Sequence, residues 1–263
     1  SLLRALANFT STTADSLIAR QMVSSADFGG YHNSKDLSKN LVYEATAPIA
    51  GVMLPTLARL REKRDRFRDA FINSYGITLY WVGLCVLGVN LVADAVIHLI
   101  LGDQWLFTIP YLRVGSIYMG IHALEQFYEK TLISLNRQNL ATLITCSQAV
   151  ISVFVAVILS KENDLLLLLY GTVAVWSSMN IFTSIVLTFI LRLRFKLFSC
   201  YVKMIICVAS TYIVATLVNS KVLDGYLGLT LDAIALCFIT AATYITIAST
   251  LWFISGRPKG PEN

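Results

Sequence analysis

The chain has 263 residues, 56% of them hydrophobic and 14% charged, with a formal net charge of +5 and a mean hydropathy of +0.65. Soluble domains run nearer roughly 45–50% apolar and about 25% charged, so a water-soluble globule is excluded: so few polar residues cannot cover so much apolar interior. The excess of basic charge needs no nucleic acid to explain it, because a membrane protein carries it as a bias toward one face.

Because a bilayer core about 30 Å thick takes roughly 20 apolar residues per helix, hydropathy and the alternation of loops together predict eight spans. The chain opens at Ser1 with a helix already under way, so a fragment of a longer protein is expected. The first span, residues 2–22, is polar: Asn8, Thr12 and Asp15 form one stripe, with Arg20 toward its far end. Residues 24–38, "SSADFGGYHNSKDLS", read as a polar outer loop with a Gly-Gly-Tyr turn. The second span, 40–58, sets Glu44, Pro48, Gly51 and Pro55 on one face. Pro48, Gly51 and Pro55 are the expected hinge, since prolines remove helix hydrogen bonds where bending is useful. The run "RLREKRDRFR" that follows, 59–68, reads as a cytoplasmic helix end against anionic headgroups.

The third span, 76–101, stacks Asn90, Asp94 and His98 toward the outer interface. In the fourth, 106–129, Tyr111, Gly115, Tyr118, His122, Glu125 and Glu129 recur on one helical face, with Arg113 on another and free to snorkel. The last four spans, 138–160, 165–191, 201–219 and 229–255, carry few ionisable residues apart from Asp232 and read as scaffold or lipid contact, with Trp176 and Asn180 as packing residues. With all eight spans accepted, fourteen lysines and arginines fall in one set of loops and four in the other, so the first set is expected in the cytoplasm together with both ends of the chain. The fold class is therefore an all-α, polytopic membrane bundle of about eight transmembrane helices.

A charge at the centre of a bilayer helix costs at least roughly 2.5–3.5 kcal/mol, so charged spans should turn toward partner helices or water. Four neighbouring polar faces describe a hydrated cavity. Five cysteines form no CxxC pair and three histidines no ligand spacing, so neither a metal nor any other cofactor is expected.

"TADSLIARQMVSSADFGGY" (13–31) resembles the "D-x-x-x-I-G-R-x-x-G-x-x-x-x-G-x-Y" segment of oligosaccharide flippases in the multidrug/oligosaccharidyl-lipid/polysaccharide exporter superfamily. In the same order, "LPTLARLREKRDRFRDAF" (54–71) is similar to their helix exit, "LGDQWLFTIPYLRV" (101–114) to their outer turn and "LISLNRQNL" (132–140) to their inner turn. The likeness covers about residues 10–140. It departs from the family at Ala19, Ser24 and Ser25, where glycines are usual, and in the polar "YHNSK". The resemblance implies the second lobe of a two-lobed transporter: 1–192 as its six helices, 193–263 as two additional helices and a short tail, and a first lobe that is missing.

Such flippases are taken to move a polyprenyl-diphosphate-linked oligosaccharide across the cytoplasmic membrane by alternating access. The resemblance therefore implies transport rather than an enzyme, with membrane lipids, the missing lobe and polysaccharide-biosynthesis proteins as partners. A diphosphate in a low-dielectric cavity calls for cations with fork geometry, so Arg20 first and Arg4 second are expected at the substrate, beside Tyr118 and His122 on the cavity face. Asp15, Glu44 and Glu125 are expected to couple transport to an ion, since a carboxylate there can gain and lose charge. A multidrug cation antiporter of the same superfamily is the rival, with the basic Arg20 against it. An integral-membrane glycan polymerase would need a long outer loop with paired carboxylates, which the short "GDQW" and "KEND" do not offer. A helical scaffold would have no use for aligned polar faces.

Overall fold

The computed structural model describes residues 2–193, 196–218 and 229–254. Among them are nine α-helices and no strand: α1 (Leu2–Met22), α2 (Ser25–Ser38), α3 (Ala45–Leu60), α4 (Arg64–Ile100), α5 (Ile109–Ser134), α6 (Gln138–Leu159), α7 (Leu165–Leu191), α8 (Lys196–Val218) and α9 (Leu229–Ile254). Arg194, Lys221, Arg257 and Lys259, four of the eighteen basic residues counted for orientation, and the tail beyond 254 lie outside the described residues.

The largest departure from the sequence reading is residues 24–38, which are helix rather than an outer loop. Ser24 caps α2 by accepting the amide of Asp27 at 3.2 Å, and the Gly-Gly pair lies inside the helix, where it gives closeness rather than a turn. A Cβ on Gly30 would stand 2.7 Å from Thr108 and 2.9 Å from the Phe107 ring. From α2 the chain passes through a π-helical turn (Lys39–Glu44) into α3, making one 36-residue helix, Ser25–Leu60. The π turn has a local cause: the ring of Pro48 clashes with the carbonyl four residues back, that of Glu44, and a widened turn ending there relieves it.

Six helices are long and apolar enough to cross a bilayer: Ser25–Leu60, Arg64–Ile100, Gln138–Glu162, Leu165–Leu191, Lys196–Val218 and Asp232–Leu251. The protein is thus a multi-pass membrane protein. The other two expected spans, α1 and α5, are helices of 21 and 26 residues that fall short on apolarity alone. For α5 the reason is structural, because α2, α3, α4, α6 and α7 all pack around it and its polar residues meet protein instead of lipid.

Two ends can be told apart by their contacts. At one, the first turns of α2 meet the 3₁₀ turn Asp103–Thr108 that leads into α5. At the other, basic end, the starts of α4 and α8 meet the close of α7: Phe67, Phe71, Leu132, Leu193 and Leu197 form one core. A second core around Val42, Ala93, Tyr118 and Trp176 fills the middle. Helices α8 and α9 pack on each other and on α4, outside the rest. Large apolar side chains such as Phe154, Phe189, Ile213 and Phe238 remain exposed, as lipid-facing residues should.

Candidate functional site

The sequence places Asp15 on the polar stripe of α1, and the fold turns that stripe inward. Asp15 is 1% exposed, and Lys35 of α2 reaches it with Nζ 2.7 Å from Oδ2 and 2.8 Å from Oδ1. The same ammonium donates to the Ser16 hydroxyl and to the Thr12 carbonyl, both at 3.1 Å, while Tyr31 donates to Asp15 at 2.8 Å. Each charge therefore has partners for most of its hydrogen-bonding capacity, the condition on which a buried ion pair is tolerated. Lys35 also lies 5.4 Å from the centroid of the Tyr118 ring, within range of its negative face.

Below this pair the α5 stripe continues as aromatic stacking. His122 stacks on Tyr43 at 4.7 Å, meets the edge of Trp176 at 4.7 Å, and lies 6.3 Å from Tyr118. Tyr118 Oη, His122 Nε2 and Trp176 Nε1 are all buried without a hydrogen-bond partner, so three polar atoms share one apolar ring cluster.

One turn further, Glu125 accepts from the Thr183 hydroxyl at 3.2 Å and the Asn180 amide at 3.5 Å, both on α7. Asn180 in turn accepts from the Tyr201 hydroxyl of α8 at 2.9 Å. Tyr201 joins Tyr75 at 2.5 Å and Tyr128 at 2.9 Å, so the network draws in α4. At the last turn Glu129 pairs with Arg4 at 3.1 Å, tying α5 back to α1. Asp15, Lys35, Tyr118, His122, Glu125 and Glu129 thus form a polar column inside this bundle.

The column corrects the sequence reading on two points. The α5 stripe does not line an open cavity but faces α2 and α7 within the bundle. The fifth to eighth spans are not only scaffold, because Asn180 and Thr183 of α7 and Tyr201 of α8 hold Glu125. Arg113 does not snorkel alone: it pairs with Asp94 at 2.8 Å, and Asn90 donates to Ser116 at 2.8 Å, while His98 pairs with Asp103.

The remaining predicted residues lie outside the column. Arg20 is exposed and has no ion-pair partner among the described residues. Glu44 is exposed, with Lys39 3.9 Å away. Pro48, Gly51 and Pro55 follow Glu44 along an exposed face of α3, where a Cβ on Gly51 would meet nothing within 4 Å. Sequence reasoning missed Lys35 and Tyr31. The helical spacing Tyr31–Lys35–Ser38 was the available signal, hidden by the glycines and serines around it. Among the described residues no cluster of acidic, histidine or cysteine side chains could hold a metal ion.

These features define a polytopic helical bundle of membrane type, with charged and polar groups gathered in its interior. Residues 1–110 match a family described as "Polysaccharide biosynthesis protein". Over 115 residues the chain is 24% identical to a Klebsiella pneumoniae protein described as "Uncharacterized membrane protein in cps region", covering 44% of this chain and 24% of that one. The fold is similar to that of the lipid II flippase MurJ in its inward closed conformation, with a TM-score of 0.76 and 10% identity over 97% of this chain. The match covers 53% of the flippase, so the chain spans about half of that protein's length. The resemblance to polysaccharide flippase-type proteins is borne out: the chain has a flippase-type, all-helical fold.

Proposed function

We propose that this chain forms one lobe of a flippase that moves a polyprenyl-diphosphate-linked oligosaccharide across the cytoplasmic membrane for cell-surface polysaccharide biosynthesis. The observation that carries the reading is the flippase-like fold of a chain spanning about half of such a transporter, with α1 and α3 leaving Arg20 and Glu44 exposed. In this proposal a further lobe of the same protein faces those helices, and the basic end of the bundle lies in the cytoplasm. Arg20 takes the diphosphate, its planar guanidinium matching two phosphate oxygens at once, and Arg4 becomes available when α1 parts from Glu129. Tyr118 and His122 act from within the lobe. They tune the Asp15–Lys35 pair, and in the conformation described here their rings pack against protein.

Asp15, Glu125 and Glu44 serve ion coupling in different ways. A cation or proton neutralising Asp15 removes the partner that holds Lys35, and with it the contact between α1 and α2. Glu125 sits where a change of charge would be felt by α7 and α8 through Asn180 and Tyr201. Glu44, at the π turn beside the Pro48–Gly51–Pro55 segment, is positioned to report on bending of α3.

The test uses the full-length protein in liposomes, with a lipid-linked oligosaccharide and a membrane-impermeant probe of its head group, with and without a proton or sodium gradient. Transfer is expected to depend on the protein and to fall with Arg20→Ala. Absence of transfer, with efflux of amphipathic cations in its place, would overturn the reading.

A further inference from the structure

A second charged site lies at the basic end, away from the column. Arg68 of α4, Arg192 after α7 and Lys196 of α8 line a cavity of about 690 Å³ together with Thr188, Phe189 and Leu193. From these residues we infer a binding site for an anionic phospholipid, its phosphodiester held by the three cations and its acyl chains lying along α7.

Three features carry the inference. The first is how the cations are held. Arg68 donates Nε to the Leu191 carbonyl at 3.1 Å, which fixes its guanidinium at the mouth of the cavity with further N–H groups to offer. Its acidic neighbour is Asp65 at 3.7 Å, and that of Lys196 is Asp69 at 3.8 Å. Both pairs are long, and Asp65 and Asp69 are 91% and 67% exposed, so neither competes strongly with a phosphate. The carbonyl end of α7 is covered as well: the amides of Arg192 and Leu193 satisfy Phe189 and Thr188, and Arg68 takes Leu191, which lessens the repulsion an anion would meet there.

The second feature is the backbone of Arg192. Three non-glycine residues among those described have positive φ: Asn136 at 61°, Asn163 at 52° and Arg192 at 52°. Asparagine accepts that conformation readily, whereas a long branched cation there is unusual. The strained turn keeps a side chain that a glycine would lack, and strain held in this way points to use of the side chain.

The third is what borders the cavity. Phe182, Ile185 and Phe189 form a row on α7 and are 51%, 49% and 78% exposed, with Phe189 in the cavity wall. Cations above a lipid-facing apolar row match a molecule with an anionic head and hydrocarbon tails. A soluble phosphate compound would gain nothing from the row. Basic pockets between transmembrane helices at a membrane surface are recognised as headgroup sites.

The experiment is native mass spectrometry of the full-length protein purified in detergent, titrated with phosphatidylglycerol, phosphatidylcholine or glycerol phosphate. It reads binding alone, so its outcome is independent of whether the protein flips a lipid-linked sugar. Phosphatidylglycerol is expected to be retained in preference to phosphatidylcholine. Arg192→Gly should weaken its retention about fivefold, and joint replacement of Arg68, Arg192 and Lys196 by glutamine on the order of a hundredfold. Arg192→Gly removes the guanidinium while relieving the positive φ, so its melting temperature should hold or rise as binding falls. That split excludes general damage to the fold and leaves a decisive variant should the triple one not fold. Unchanged phosphatidylglycerol retention in Arg192→Gly would overturn the site. So would equal retention of phosphatidylcholine, or displacement of phosphatidylglycerol by an equal concentration of glycerol phosphate.

Discussion

The polar stripes of α5 and α3 look alike in sequence and meet opposite fates in the fold. Tyr118, His122, Glu125 and Glu129 of α5 are turned into the bundle, where the two carboxyl groups find Asn180, Thr183 or Arg4. Glu44 at the end of the π turn and Pro48, Gly51 and Pro55 of α3 remain on an exposed face. Helical periodicity says which residues share a face and nothing about what stands opposite. The difference is set by neighbours: α5 is ringed by five helices, whereas α3 lies at the margin of the bundle. Substitutions in the interior stripe should then lower stability, whatever they also do to coupling, whereas those on the exposed face should leave stability intact, and the two can be separated.

The largest effect is expected from Lys35→Met. It leaves Asp15, 1% exposed, without its counter-ion, and an uncompensated buried charge costs about 3–5 kcal/mol. Thermal unfolding of the full-length protein in detergent should show a large drop, recovered mostly by adding Asp15→Asn. If Lys35→Met melts like the parent, the pair is not the structural tie described here. A smaller effect, roughly 1–3 kcal/mol, is expected from Gly115→Val at the α2–α5 seam. A Cβ there would stand 2.7 Å from the Ser38 hydroxyl, which already donates to the Ser34 and Leu112 carbonyls. Normal stability of this variant would mean that the seam is looser than the structure has it.

Much of this fold was legible in the sequence, and the residues that were not show why. Hydropathy finds α4, α6, α7, α8 and α9 because lipid-facing helices must be apolar. It passes over α5, whose polar groups are matched by α7 rather than by its own composition. Asp15 and Glu125 were readable as buried carboxylates from helical spacing. Lys35 was not, because its stretch is rich in glycine and serine, which mean turns in water. In a membrane bundle the same small residues allow close packing of helices, as at Gly30 against Phe107 and Gly115 against Ser38. Asn180 and Tyr201 were invisible as partners of Glu125 because the link is tertiary: α5, α7 and α8 converge there through contacts that no local pattern records.

Tyr201→Phe tests whether α8 belongs to the interior network. The hydroxyl is the hub for Tyr75, Tyr128 and Asn180, and its loss leaves buried groups short of a partner at about 1–2 kcal/mol. If the melting temperature is unmoved, α8 packs on the lobe without engaging Glu125, and the interior stripe ends at α7.

The smallest effect on stability, and the sharpest on function, is expected on the exposed side. Arg20→Ala and Glu44→Gln change side chains in contact with solvent or lipid, where substitutions stay within about 0.5 kcal/mol, and the Lys39–Glu44 pair at 3.9 Å is too long and exposed to add much. Melting curves should therefore overlay the parent while flipping of the lipid-linked substrate falls. Loss of both together would mean that the exposed face is buried in the full-length protein and serves assembly. Retention of both would remove Arg20 and Glu44 from transport and return the anionic head group to the interior, where Lys35 is the buried cation nearest the stacked rings of α5. Only loss of transport with an intact fold keeps the division between a stripe that holds the lobe together and a face that meets the substrate.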